Sequence, residues 1–226
     1  MIEFDTAVQA VLWDMDGTLV DTEPYWFRAE TELLSQHGVS WSPEQATALV
    51  GSALPHSAAV LQAAGVRLEI REIIDTLLDS VIKQVRTEVP WRPGARELLA
   101  DVRSAGIPCA MVTMSERPLA AEIARMLPTD TFEFLVTGDM VTSGKPHPEP
   151  YLLAVETLRR TWAGVTHERV IAIEDSLPGL ASAKASGVVT LGVPNMVPLP
   201  TDSGHTVWPT LAGRTAAHLH ELVTAR

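Results

Sequence analysis

The 226 residues fit one large domain or two modest ones, and a hydrophobic content of 46% is enough to build a core. Acidic residues outnumber basic ones, 28 to 17, for a formal net charge of −11. That excludes a basic stripe for nucleic acid, and it means any phosphate site must be made locally positive. No apolar run is long enough to cross a membrane, so a membrane partner is excluded as well. Met1 to Asp5 carry neither the basic nor the apolar region of a secretory leader. The one cysteine, Cys109, lies in an apolar run and reads as a packed core thiol. A cytoplasmic location is the expectation.

Short apolar runs alternate with helical segments, the pattern of a parallel sheet with crossover helices. Strands are predicted at 10–13, 107–113, 134–137, 170–174 and 188–193. Helices are predicted at 95–105, ended by Gly106, at 116–127, ended by Pro128, at 149–160, and at 177–186, ended by Gly187. Between Asp16 and Ile107 the pattern is helical only. Pro24 opens a helix that Gly38 closes, and Ser42-Pro-Glu-Gln45 is a capping box for the next. Segments 54–64 and 68–86 continue the series, and Pro90-Trp-Arg-Pro-Gly94 reads as a stiff return linker. The stretch 195–213, rich in Pro, Gly and Thr, reads as loop, followed by a last helix at 215–224. The expected class is therefore α/β, a Rossmann-like parallel core with an inserted all-helical domain. The core takes residues 1–21 and 92–226, and the insertion takes 22–91.

The richest chemistry is in Asp14-Met-Asp-Gly-Thr-Leu-Val-Asp-Thr-Glu23, directly after the first strand. Asp14 and Asp16 repel each other unless a cation lies between them, and hard oxygen donors suit Mg²⁺. A calcium loop counted from Asp14 fails, because Leu19 and Tyr25 stand where glycine and glutamate are required. Ligands of open α/β sheets bind beyond the carboxyl ends of the strands. Thr113, Lys145 and the Glu174–Asp175 pair fall near other predicted strand ends. Each has an ordinary alternative. Thr113 and Ser115 could cap the following helix, Lys145 could be a solvated loop residue, and Glu174-Asp-Ser176 could be an N-cap cluster.

Taken in order, four segments resemble the motifs of the haloacid dehalogenase-like hydrolase superfamily. They are Asp14-Met-Asp-Gly-Thr-Leu-Val-Asp21, Val112-Thr-Met-Ser115, Gly144-Lys-Pro146 and Ile173-Glu-Asp-Ser-Leu-Pro-Gly-Leu180. The resemblance is to the branch with a helical cap after the first strand, which includes β-phosphoglucomutase-like proteins and phosphoglycolate phosphatases. It implies that Asp14 is the nucleophile, forming an aspartyl-phosphate, and that Asp16 is the general acid and base. It also implies that Asp14, the Asp16 carbonyl and Asp175 hold Mg²⁺, with Glu174 assisting through water. Lys145, the Thr113 hydroxyl and the N–H of Met114 would hold the phosphoryl oxygens, with N–H groups from Met15–Gly17.

Asp16 argues against the dehalogenase and phosphonate-cleaving branches, which lack the second acid. The mutase branch carries basic groups on its cap, where this chain has Trp26 and the stretch Gly51 to His56. Glu116 stands where relatives often carry a lysine. The expectation is a Mg²⁺-dependent phosphatase for a small phosphorylated metabolite, acting as a monomer or weak homodimer. A phosphomutase is the alternative. A phosphoacceptor module of the receiver type is a third reading, weakened by the helical insertion. Thr22 and His56 are possible cap contacts, and Trp26 is a candidate to face the site. Trp13 and Trp91 read as packing residues, and His218 and His220 as surface residues.

Overall fold

A computed structural model describes residues 8–201 and 204–224; Met1 to Asp5, read above for a leader, lie outside the described residues. The strands are β1 (Ala10–Trp13), β2 (Cys109–Val112), β3 (Leu135–Val136), β4 (Val170–Glu174), β5 (Val189–Gly192) and β6 (Thr206–Val207). They form one sheet in the order β3-β2-β1-β4-β5-β6, and every pairing is parallel. After β1 the chain builds outward through β2 and β3, then returns to the other side of β1 for β4, β5 and β6. The order therefore reverses between β1 and β4, whose carboxyl ends lie side by side, with Trp13 paired to Ile173. That crevice is where ligands of open parallel sheets bind.

The chain between β1 and β2 is helical, as expected. It comprises α1 (Glu23–Gln36), α2 (Pro43–Thr47), α3 (Leu54–Ala64) and α4 (Ile70–Thr87). The Ser42 capping box is present, with Ser42 Oγ accepting from Gln45 N and Gln45 Oε1 accepting from Ser42 N. A second box sits at Glu69, and this sets the start of α4 two residues later than predicted. Ile73, Leu77, Val81 and Val85 of α4 are buried at helical spacing against Leu33 of α1 and Leu61 of α3. Two crossings join this insertion to the sheet, and they pair with each other. Asp21 N donates to Pro90 O at 2.7 Å, and Arg92 N donates to Leu19 O at 3.0 Å.

The remaining helices are α5 (Ala95–Ser104), α6 (Arg117–Arg125), α7 (Glu149–Thr161), α8 (Leu177–Ser186) and α9 (Ala216–Thr224). Strand side chains alternate between two cores, as the pleat requires. Val11, Trp13, Met111, Ile171 and Ile173 pack with α5, α6 and α9. Ala10, Leu12, Ala110 and Ala172 pack with α7 and α8. Both faces are covered, which is why the strands read as continuous apolar runs. Cys109 is buried in the first of these cores, and burial pushes its thiol up to about 12. Among the described residues no helix is long and apolar enough to cross a membrane.

The structure corrects two sequence expectations away from the site. The stretch 195–213 is not all loop: Thr206 and Val207 pair with Leu191 and Gly192 as an edge strand. Two residues are too few to show a period in sequence. His218 and His220 are half-buried rather than surface residues. His218 Nδ1 accepts from Thr215 N, and His220 Nδ1 accepts from Val8 N at 3.0 Å.

Gly94 at the start of α5 has φ of +81°, and a Cβ there would lie 2.2 Å from the backbone of Leu211 and Ala212. Gly94→Ala should therefore destabilise the fold by about 2–4 kcal/mol, from backbone strain plus a clash that only main-chain movement relieves. Chemical denaturation would show this, and an unchanged midpoint would contradict the packing described.

Candidate active site

Asp14 and Asp175 directly follow adjacent strands β1 and β4, so topology alone brings together residues 161 positions apart in sequence. Asp14 N donates to Ile173 O at 3.1 Å, fixing the first against the second. Carboxylate oxygens of Asp14, Glu174 and Asp175 all lie within 4.8 Å of one another, and all three residues are buried. Gly17, with φ of +83°, makes this approach possible: a Cβ there would sit 2.0 Å from Asp175 Oδ2. Gly179 does the same under Glu174, at 1.9 Å from its Oε2. Both are conformational or steric requirements that a larger residue would break.

Lys145 supplies the countercharge. Its Nζ is 2.6 Å from Asp14 Oδ1 and 2.6 Å from Glu174 Oε1, and it donates to Val112 O at 2.9 Å. Tyr151, on the first turn of α7, donates its hydroxyl to Glu174 Oε1 at 2.5 Å and sets its ring 5.3 Å from Lys145 Nζ. Met114 fastens the loop that carries the lysine, its Sδ accepting from Lys145 N. The other oxygens, Asp14 Oδ2 and Glu174 Oε2, are buried without a partner. Buried orphan acceptors are costly, and in an acidic cluster they suit a cation. Burial and Glu174 push the Asp14 carboxyl up to about 7 despite Lys145. Burial, Asp14 and Glu174 push Asp175 well above the carboxylate range. Three acids with one lysine fit a divalent ion chemically.

Asp16 points the other way, toward the insertion. Its Oδ1 accepts from Thr22 Oγ1 at 2.5 Å and from Trp26 Nε1 at 3.2 Å, both on or beside α1. Its Oδ2 accepts from Ser115 Oγ at 2.7 Å and Thr113 Oγ1 at 3.3 Å, both beyond β2. One carboxylate is thus held from both sides of the crevice. The N–H groups of Met15, Asp16 and Met114 donate to no described backbone or side-chain group, so they are free to meet an anion.

Six of the sequence-predicted groups, Asp14, Asp16, Thr113, Met114, Lys145 and Asp175, line one cavity of about 60 Å³. Met15, Gly17 and Glu174 are not among its lining residues, and the Gly17 N–H donates to Val20 O instead. Thr22 and Trp26 contact Asp16, as sequence allowed, whereas His56 is exposed and is not among the lining residues. Glu116 does not line it either; it pairs with Arg71 of α4 at 2.8 Å. Sequence reading missed Tyr151, Glu23 and Glu30. Tyr151 sits among apolar helix residues and carries no local signal. Glu23 and Glu30 are seven apart on α1, a spacing that puts them on one face, but polar faces usually point to water. Here both are buried. Burial, with Asp16 and Glu30 nearby, pushes Glu23 up to about 8. Burial pushes Glu30 up to about 7, although Trp41 Nε1 donates to it.

The profile of the haloacid dehalogenase-like hydrolases matches residues 8–187. The chain belongs to that family. The phosphorylated carbohydrates phosphatase of Thermotoga maritima is 34% identical over 186 residues, covering 80% of this chain and 82% of its own. Hexitol phosphatase A of Escherichia coli is 30% identical over 187 residues, covering 80% and 81%. The crystal structure of CbbY from Rhodobacter sphaeroides in complex with phosphate superposes with a TM-score of 0.84 at 28% identity, covering 94% of this chain and 99% of that one. The expected class, a hydrolase of the phosphoric monoester kind within this family, is borne out. So is the expected architecture, an α/β parallel core with a helical insertion.

The clustered acids should cost this hydrolase stability while no cation is bound. For Asp14 the folded-state value lies above the ordinary 3.8. The unfolded chain therefore ionises first, and stability falls as pH rises from about 4 to about 7. Asp175→Asn removes one repelling charge, so at pH 8 in chelator it should be more stable than the parent by about 1–3 kcal/mol. Urea denaturation measures this; a less stable variant would mean the cluster is not under charge strain.

Proposed function

We propose that the chain is a Mg²⁺-dependent phosphatase of a small phosphorylated sugar, working through an aspartyl-phosphate on Asp14. The supporting observation is the asymmetry of Asp14, a residue that lines the cavity. Lys145 holds its Oδ1, while Oδ2 is buried and unpartnered. The similarity to two phosphatases of phosphorylated carbohydrates and polyols supports the substrate class. We divide the chain as a core of residues 1–21 and 92–226 and a cap of residues 22–91.

Asp14 Oδ2 attacks phosphorus, and the bond from phosphorus to the leaving alcohol breaks. Asp16 gives its proton to that departing oxygen. Asp16 then takes a proton from water as the water oxygen attacks phosphorus, and the bond to Asp14 breaks, releasing phosphate. Lys145, Thr113 and the free N–H groups of Met15, Asp16 and Met114 receive the non-reacting oxygens. Asp14, the Asp16 carbonyl and Asp175 would hold Mg²⁺, with Glu174 beside them. When bound, the ion offsets repulsion between carboxylate and phosphate. The phosphomutase reading needs a grip on a second phosphate, and Lys145 is the only lysine or arginine among the described cavity-lining residues.

Purified protein should release phosphate from sugar monophosphates with Mg²⁺ and stop when EDTA is added. Asp14→Asn should lower turnover by at least about a thousandfold; near-normal turnover would sink the mechanism. Isomerised hexose phosphate, formed only with a bisphosphate present, would establish the mutase instead. Metal binding should also track the Asp14 proton, because the metal needs the ionised form. The rise in melting temperature caused by Mg²⁺ should grow between pH 6 and pH 8, about a unit either side of the Asp14 value of about 7. A flat response in a thermal-shift titration would place the ion elsewhere.

A further inference from the structure

Above Asp16 the cavity is walled by one face of α1, on which only Trp26 touches a group used in the chemistry just described. Glu23, Trp26, Phe27 and Glu30 occupy successive turns at helical spacing, and all four line the cavity. Glu23 is 6% exposed, and no side-chain hydrogen bond to its carboxyl is found among the described residues. Glu30 is 5% exposed, and Trp41 Nε1 holds its Oε2 at 3.1 Å. A carboxyl of a largely buried residue that borders the cavity without a protein partner is available to meet a ligand group.

We propose that Glu23 and Glu30 bind the hydroxyls of a neutral, polyhydroxylated leaving group, and that the same pair excludes a substrate with a second anionic group. The proposal rests on the phosphatase reading and deepens it. Carboxyl oxygens accept from alcohol hydroxyls, which can turn to suit either partner. Trp26 and Phe27 offer apolar ring surface to the C–H side of such a molecule. Five acids line the cavity: Asp14, Asp16, Glu23, Glu30 and Asp175. The one lysine there is already engaged by Asp14 and Glu174. A second phosphate or a carboxylate would thus enter among carboxyl groups with no free cation to meet it. An analogue without hydroxyls would leave Glu23 and Glu30 unpaired, which is how a hydrogen-bonding pocket discriminates most strongly.

The test compares kcat/KM for a hexitol monophosphate, a hexose bisphosphate, phosphoglycolate and p-nitrophenyl phosphate, all with Mg²⁺. The parent protein should favour the hexitol phosphate over the bisphosphate and phosphoglycolate by about a hundredfold or more. Glu23→Gln and Glu30→Gln should each lower the ratio of hexitol phosphate to p-nitrophenyl phosphate by about tenfold. The loss should appear mainly in KM. Equal loss on both substrates, or parent preference for the bisphosphate or phosphoglycolate, overturns the proposal. If a variant does not fold, the parent panel alone decides. Failure of the parent on all four esters, p-nitrophenyl phosphate included, would instead count against the phosphatase reading itself.

Discussion

Buried like charge is the constraint around which the rest is organised. Asp14, Glu174 and Asp175 crowd together at the one place where β1 and β4 end side by side. A single ammonium, from Lys145, offsets them. Gly17 and Gly179 are required because the carboxylates of Asp175 and Glu174 occupy the space where their side chains would be. Tyr151 donates to Glu174, and Met114 secures the loop that delivers the lysine. Each contact holds a charge where it would not remain unaided, and the orphaned oxygens of Asp14 and Glu174 mark what the protein alone does not satisfy.

Asp16 links this charged floor to the helical insertion. Two of its donors come from the region of α1 and two from beyond β2. Its orientation therefore depends on the insertion being seated over the sheet. Between α4 and the α6 region, Arg71 meets Glu116 and Arg86 meets Glu122, while the arginines are half or more exposed. Solvent screens such exposed pairs, so they contribute little to holding the two parts together. The cavity lies where the insertion meets the carboxyl ends of the strands, lined from both sides. The paired crossings at Asp21–Pro90 and Leu19–Arg92 tie the insertion to the sheet.

The elements that sequence revealed most clearly were those with a physical signature spread over many residues. Buried parallel strands read as apolar runs, and β1 and β4 were placed to the residue. The helical pattern of 68–86 marked α4, and a capping box marked α2. The edge strand β6 was missed, because two residues pairing with β5 leave no pattern. His218 and His220 were misjudged for a related reason. Their spacing excludes a shared helix face but says nothing of the Val8 and Thr215 N–H groups that they meet.

Residue types at strand ends sufficed to nominate Asp14, Asp16, Thr113, Lys145 and Asp175, because few other arrangements place such groups beyond a parallel sheet. The sequence by itself therefore determined the class of fold, the acidic character of the site and the residues that approach it. Tertiary structure alone decided which oxygen of Asp14 is free, that Glu174 joins the cluster through Tyr151 and Lys145, and that Glu23 and Glu30 turn inward rather than to water. The reason is physical. Local propensity and periodicity act within a few turns of chain, whereas the burial of a charge depends on every element that closes around it.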